Sequence, residues 1–190
     1  MVKFVNYTTV AFLSISMLFN SCSNSKNPED TKQAAEGINE QNFDTHATEK
    51  NAQYLVDAYS NGLMEIELAK SVKDKTANQD VKKMADMMIS EHTQVNAQLK
   101  GFADQKNIAL PQGLSTDQMD ETNKAMKKEG HELDKFYVDN LVSEHKDAVK
   151  LYETAADKEQ DADLKKFFAS ALPDLKSHLQ MAEDLNKKID

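Results

Sequence analysis

From about residue 48 to the C-terminus, apolar residues return at alternating spacings of three and four, with polar residues filling the positions between. That rhythm keeps one stripe of a helix turned toward partner helices, as in a packed bundle. Four long helices are predicted. Helix A covers about residues 48–75, with a seam of Leu55, Ala58, Gly62, Glu65, Ala69 and Val72. Helix B, with Asn78 as its N-cap, carries Val81, Ala85, Met88, His92, Val95, Leu99 and Phe102. Helix C covers about residues 131–158, with Asp134, Val138, Leu141, His145, Ala148, Tyr152 and Ala155 on its seam. Helix D, capped by Asp161, carries Leu164, Phe168, Ala171, Leu175, His178, Ala182 and Leu185.

Connection lengths set the expected topology. The A–B and C–D joins are too short for anything but antiparallel pairs. The B–C join is longer. It holds Pro111, which disfavours helix at Leu110, and then Ser115 with Gln118 as a capping-box pair opening a short helix that ends near Gly130. That helix covers roughly 18 Å, and the flanking extended residues can complete the ~42 Å of a long bundle helix. Helices B and C are therefore expected to run parallel. The fold class predicted is all-α: a ferritin-like four-helix bundle, up-down-down-up, with a long B–C crossover carrying a short extra helix. Val81-Lys82-Lys83-Met84 and Leu164-Lys165-Lys166-Phe167 echo one another, in keeping with a duplicated helical hairpin.

The N-terminal segment differs in kind. Lys3 precedes an apolar run from Val10 to Phe19, which is followed by Asn20-Ser21-Cys22. An apolar run of about ten residues is too short to cross a bilayer and suits the core of a signal peptide, here residues 1–21. Cys22 is the only cysteine and has no disulfide partner within the chain. With small Ser21 before it and a Ser/Asn-rich stretch after it, the site resembles a bacterial lipoprotein processing site with Cys22 lipidated. The alternative is an ordinary secretory signal with an incidental cysteine. Residues 22–47 are polar and are expected to form a flexible tether. A net charge of −9 argues against a nucleic-acid partner and against charge-driven binding to anionic lipid.

Near mid-bundle, four seam positions break the apolar pattern: Glu65, His92, His145 and His178, one on each long helix. Counted from the hairpin turns, they fall within roughly 9 Å of one another along the bundle axis. One reading is a metal centre, since three neutral imidazoles and a carboxylate suit zinc, copper or iron. Glu91 and Glu144, adjoining two of the histidines, would then serve as outer acceptors for ring N–H groups. The other reading is a hydrogen-bonded polar layer that fixes helix register, with the rings satisfied by Glu65, Asn96 and Tyr152. Gly62, one turn from Glu65, would leave space beside the layer. Ile89, Val142 and Leu175 stand three residues before the histidines, so the Glu-x-x-His pairs of a di-iron carboxylate centre are missing. Met84 and Met88 precede His92 by two turns and one turn, and Met64 adjoins Glu65. They admit thioether ligation of copper or plain core filling. Pro173 is expected to kink helix D. His131 and His46 receive no role. No nucleophile set, phosphate-cradling glycine loop or basic stripe is present, so no catalytic residue is nominated.

Several motifs carry a family resemblance: Gly62-Leu63-Met64-Glu65-Ile66-Glu67-Leu68-Ala69, Glu91-His92-Thr93 with Asn96, Leu110-Pro111, Glu144-His145 with Val149, and Leu172-Pro173 with His178-Leu179. Together they resemble the ferritin-like bacterial envelope family catalogued as domain of unknown function 4142, over about residues 50–187. Glu91 and Glu144 depart from the aspartate usual there. The resemblance implies a ferritin-like bundle in an exported protein, commonly labelled an outer membrane protein, and implies no reaction. The expected setting is the cell envelope, as an outer-membrane lipoprotein facing the periplasm or cell surface. Two functions follow: a non-catalytic binding or stress-related envelope protein, or a metal-handling bundle.

Overall fold

The computed structural model describes residues 30–43 and 46–189, so the expected signal peptide and Cys22 lie outside the described residues. Among those described, the chain is all-helical, with no strand. The helices are α1 (Thr31–Asn42), α2 (His46–Lys73), α3 (Gln79–Lys106), α4 (Thr116–Met126), α5 (Gly130–Lys158) and α6 (Ala162–Ile189).

Local chemistry sets the ends. The Asn78 side chain accepts from the backbone N–H groups of Asp80 and Val81, opening α3. Asn107 closes it in the left-handed conformation, at φ 55°, which asparagine tolerates better than most residues. The Ser115–Gln118 capping box forms as predicted at the start of α4. Gln118 also donates to the buried Ser60 of α2, pinning the crossover helix to the bundle. Pro173 lies inside α6 without ending it.

Helices α2 and α3 pack along their lengths as one hairpin, and α5 and α6 as another. The hairpins join chiefly through α2 on α5, whereas α3 meets α6 only along a thin contact. Buried apolar residues form two clusters. One gathers Leu68, Val72, Met88, Leu133, Tyr137 and Leu141. The other gathers Leu55, Leu99, Ala148, Tyr152, Phe168 and Leu175. Along the long helices the break between clusters falls at Glu65, His92, His145 and His178, so the core is two apolar halves with a polar layer between them.

The expected flexible tether needs correction over residues 31–42, which form α1 and dock on the bundle. Asp30 caps this helix through Lys32 N and Gln33 N. Buried Asn39 exchanges two hydrogen bonds with the Ala109 backbone in the crossover, at 3.0 and 2.7 Å. The Thr31 hydroxyl donates to Gly113 O, and Lys32 pairs with Asp57 of α2. What holds α1 is mainly polar contact with residues far away in sequence, so no hydrophobic seam announces it. Gly130, expected just past the end of the short helix, instead opens α5 with φ +53°.

Candidate metal centre

The four nominated residues converge. Glu65 comes from α2, His92 from α3, His145 from α5 and His178 from α6, and all four are buried. The three ring centroids lie 5.5–5.9 Å apart, the His92–His145 and His145–His178 pairs edge-on and the His92–His178 pair tilted. One nitrogen from each ring lies within 4.8 Å of the other two. Three points that close share a centre no more than about 2.8 Å from any of them. A metal–imidazole bond is ~2.0–2.1 Å, so modest ring rotations separate this geometry from coordination.

Hydrogen bonding sets the tautomers. His145 Nδ1 lies 3.0 Å from the carbonyl oxygen of Leu141 one turn earlier, a group that only accepts. Nδ1 therefore carries the proton and Nε2 offers its lone pair. His178 Nε2 lies 2.8 Å from the Glu91 carboxylate, which leaves Nδ1 as the free lone pair. His145 Nε2 and His178 Nδ1 are both buried and find no hydrogen-bond partner among the described residues. Backbone carbonyls and carboxylates orient metal-ligating histidines in this way.

Glu65 supplies the charge. Its Oε2 lies 2.8 Å from His92 Nε2, at ion-pair distance but without hydrogen-bond alignment, and Oε1 lies 3.3 Å from His145 Nδ1. Burial pushes the Glu65 pKa up, but the imidazoles of His92, His145 and His178 more than reverse this and hold it near about 2. Glu65 is thus a buried carboxylate anion. For His92, burial favours the neutral ring and Glu65 outweighs it, raising the pKa. For His145, burial prevails over Glu65, with the other two rings adding to it, and the pKa falls. The layer therefore holds one negative charge, one readily protonated ring and one ring kept neutral.

The expected partners divide. Glu91 takes the outer-acceptor role, reaching His178 on α6 and not the adjacent His92. Glu144 makes no hydrogen bond to a ring among the described residues. Its carboxyl is pushed up to about 7 by burial, reinforced by the negative charges of Glu65, Asp147 and Glu121. Asn96 does not satisfy a histidine; its Nδ2 donates to Tyr59 O at 3.2 Å. It also fills the space expected beside Gly62, where an added Cβ would stand 2.3 Å from Asn96 Oδ1. Tyr152 lines the cleft beside His92 and His178 without bonding either ring. Its phenol, like that of Tyr137, is pushed above its usual range first by burial and then by Glu65. Tyr137 adjoins the seam residue Val138 and nothing in the sequence marks it; among the described residues its buried hydroxyl has no partner. Of the histidines given no role, His131 bonds the Ile189 carbonyl near the end of α6.

The family model described as Domain of unknown function (DUF4142) matches residues 37–185. No curated protein matches the chain. The fold is similar to the crystal structure of a DUF305 protein from Streptomyces coelicolor, provisionally named as secreted. The two are 14% identical with a TM-score of 0.64, over 73% of this chain and 91% of that one. At that identity the likeness speaks for the fold alone.

Proposed function

From the premise that the chain belongs to the DUF4142 family, which carries no established reaction, we propose that its bundle is a transition-metal-binding protein. Glu65, His92, His145 and His178 are the ligands and Glu91 an outer carboxylate that orients His178. One observation carries this reading: two buried imidazole nitrogens, His145 Nε2 and His178 Nδ1, are held by their hydrogen bonds in the lone-pair tautomer and left without a partner. A layer that served only register would be expected to satisfy its members, since each unpaired buried polar atom costs about 1–3 kcal/mol. A cation among the three rings removes both penalties at once. Zinc, copper and iron all accept this donor set.

The arrangement we infer is ferritin-like, up-down-down-up, with α4 in the long crossover. The setting we infer is the cell envelope, with export directed by residues 1–21 and attachment to the outer membrane through lipidated Cys22. The apolar run and the single cysteine support it. Among the described residues no helix is long and apolar enough to cross a membrane. The role we assign is metal binding in stress protection or metal handling, without a reaction of its own.

Elemental analysis of the chain purified without a polyhistidine tag tests the proposal. After incubation with zinc, copper or iron and desalting, wild type retains about one equivalent of at least one metal, and His92→Ala/His145→Ala retains none. Equal retention by the two proteins removes the metal. If both stay metal-free and the variant is less stable, the layer is a structural device.

A further inference from the structure

The helices that contribute His92 and His178 are the pair that barely meet, and the gap between them is a groove rather than a sealed seam. Toward one end it is about 370 Å³ in volume and is lined by three methionines, Met84 and Met87 of α3 and Met181 of α6. Its rim carries both signs of charge, Asp80 and Asp184 against Lys83 and Lys188, so charge does not select what enters. One turn further along the same helices lies a smaller cleft, about 60 Å³, with Glu91, His92 and His178 in its wall.

The registers make the two spaces neighbours along α3 and α6. Met87 precedes Glu91 by one helical turn, Met181 follows His178 by one turn, and fully buried Met88 lies one turn from His92. Methionines of both helices therefore stand within one turn of the residues that wall the smaller cleft. Met84 and Met88 belong to the apolar core and need no other explanation. Met181 is not in either core cluster and is 38% exposed, one of three large apolar side chains left in solvent among the described residues. Half-buried Met87 faces it across the groove.

Thioether sulfur is neutral and soft, and among biological cations it holds monovalent copper well and zinc or ferrous iron poorly. Imidazole accepts all of them. The ion that suits both a methionine-lined approach and a three-imidazole floor is copper. We propose that the α3–α6 groove loads cuprous ion into the buried site, with Met181 and Met87 capturing the ion at the surface. The proposal rests on the metal reading above and adds the identity of the cargo and its route.

Two measurements on the full chain test it. In the first, silver(I), an air-stable surrogate of the same softness, is titrated into protein labelled at its methionine methyls. The Met87 and Met181 methyl signals move before one equivalent is added, while zinc(II) leaves them in place. In the second, copper(I) is presented anaerobically on a chromophoric chelator, and its transfer is followed by stopped-flow absorbance. Met87→Leu/Met181→Leu, which keeps side-chain size, slows transfer at least tenfold, while final copper content and zinc uptake match wild type. Unmoved methyls, or equal transfer rates in the two proteins, overturn the route even where wild type binds zinc and copper. If wild type binds no metal at all, the site fails and the route fails with it.

Discussion

Gly62 sits inside α2, where replacing glycine by alanine ordinarily stabilises a helix by about 1 kcal/mol. Here the opposite is expected. A Cβ at this position would meet Asn96 Oδ1 at 2.3 Å and Cγ at 2.9 Å, both far inside van der Waals contact. Asn96 is buried and held by its bond to Tyr59 O, so the amide cannot swing away without losing that bond. Overpacking of this kind costs about 1–3 kcal/mol, and the lost hydrogen bond about 1 more. Against the propensity gain, Gly62→Ala should destabilise by roughly 2 kcal/mol, or about 4–8 °C in Tm for a domain of this size. In an Asn96→Ala background the obstacle is gone, and the same substitution should stabilise by about 1 kcal/mol. The two changes are therefore coupled by roughly 3 kcal/mol, measurable by urea unfolding of the four proteins of the cycle. A more stable Gly62→Ala single variant, or additive effects across the cycle, would refute the reasoning.

Other consequences are also measurable. Glu91→Gln weakens the grip on the tautomer of His178 and should lower metal affinity about 10–100-fold with little change in fold, as read by competition with a chromophoric chelator. In metal-free protein, Glu65 is held near about 2 against an ordinary 4.5. Its contribution, roughly 3 kcal/mol, is present above pH 4.5 and is lost as pH falls toward 2, so denaturant midpoints should drop across that window in wild type and much less in Glu65→Gln. His92, raised by Glu65, works in the other direction. Its contribution is complete below pH 6.5 and declines as pH rises through its folded value, so His92→Gln should lose less stability in alkaline than in mildly acidic buffer. Cys22→Ser should release the protein from the membrane fraction; continued sedimentation with membranes would remove the lipid anchor.

What could be read from the chain alone follows from periodicity and from local chemistry. The seams of α2, α3, α5 and α6 obey a three/four rhythm, so the long helices and the equal depth of Glu65, His92, His145 and His178 are legible in the sequence. The capping box at Ser115 and Gln118 was visible too, because its partners lie three residues apart. Contacts without a period were hidden. Asn39 meets Ala109 across 70 positions, and a short polar helix such as α1, held by such bonds, leaves no apolar stripe to set it apart from a tether. Asn96 stands near the layer in sequence, so assigning it to a histidine was natural, yet the glycine on the neighbouring helix draws it to Tyr59. The adjacency of Glu91 to His92 suggests an outer acceptor, but its partner, His178, depends on which helix lies across the groove. The tautomers were beyond reach, since they follow from the Leu141 carbonyl and from the placement of Glu91.

X-ray absorption at the edge of the metal retained by wild-type protein tests the central claim most directly. The account predicts three nitrogen scatterers near 2.0 Å with the outer-shell pattern of imidazole rings and one carboxylate oxygen, and one imidazole fewer in His178→Ala. A shell of oxygens without imidazole scattering, or a spectrum unchanged by that substitution, would contradict it.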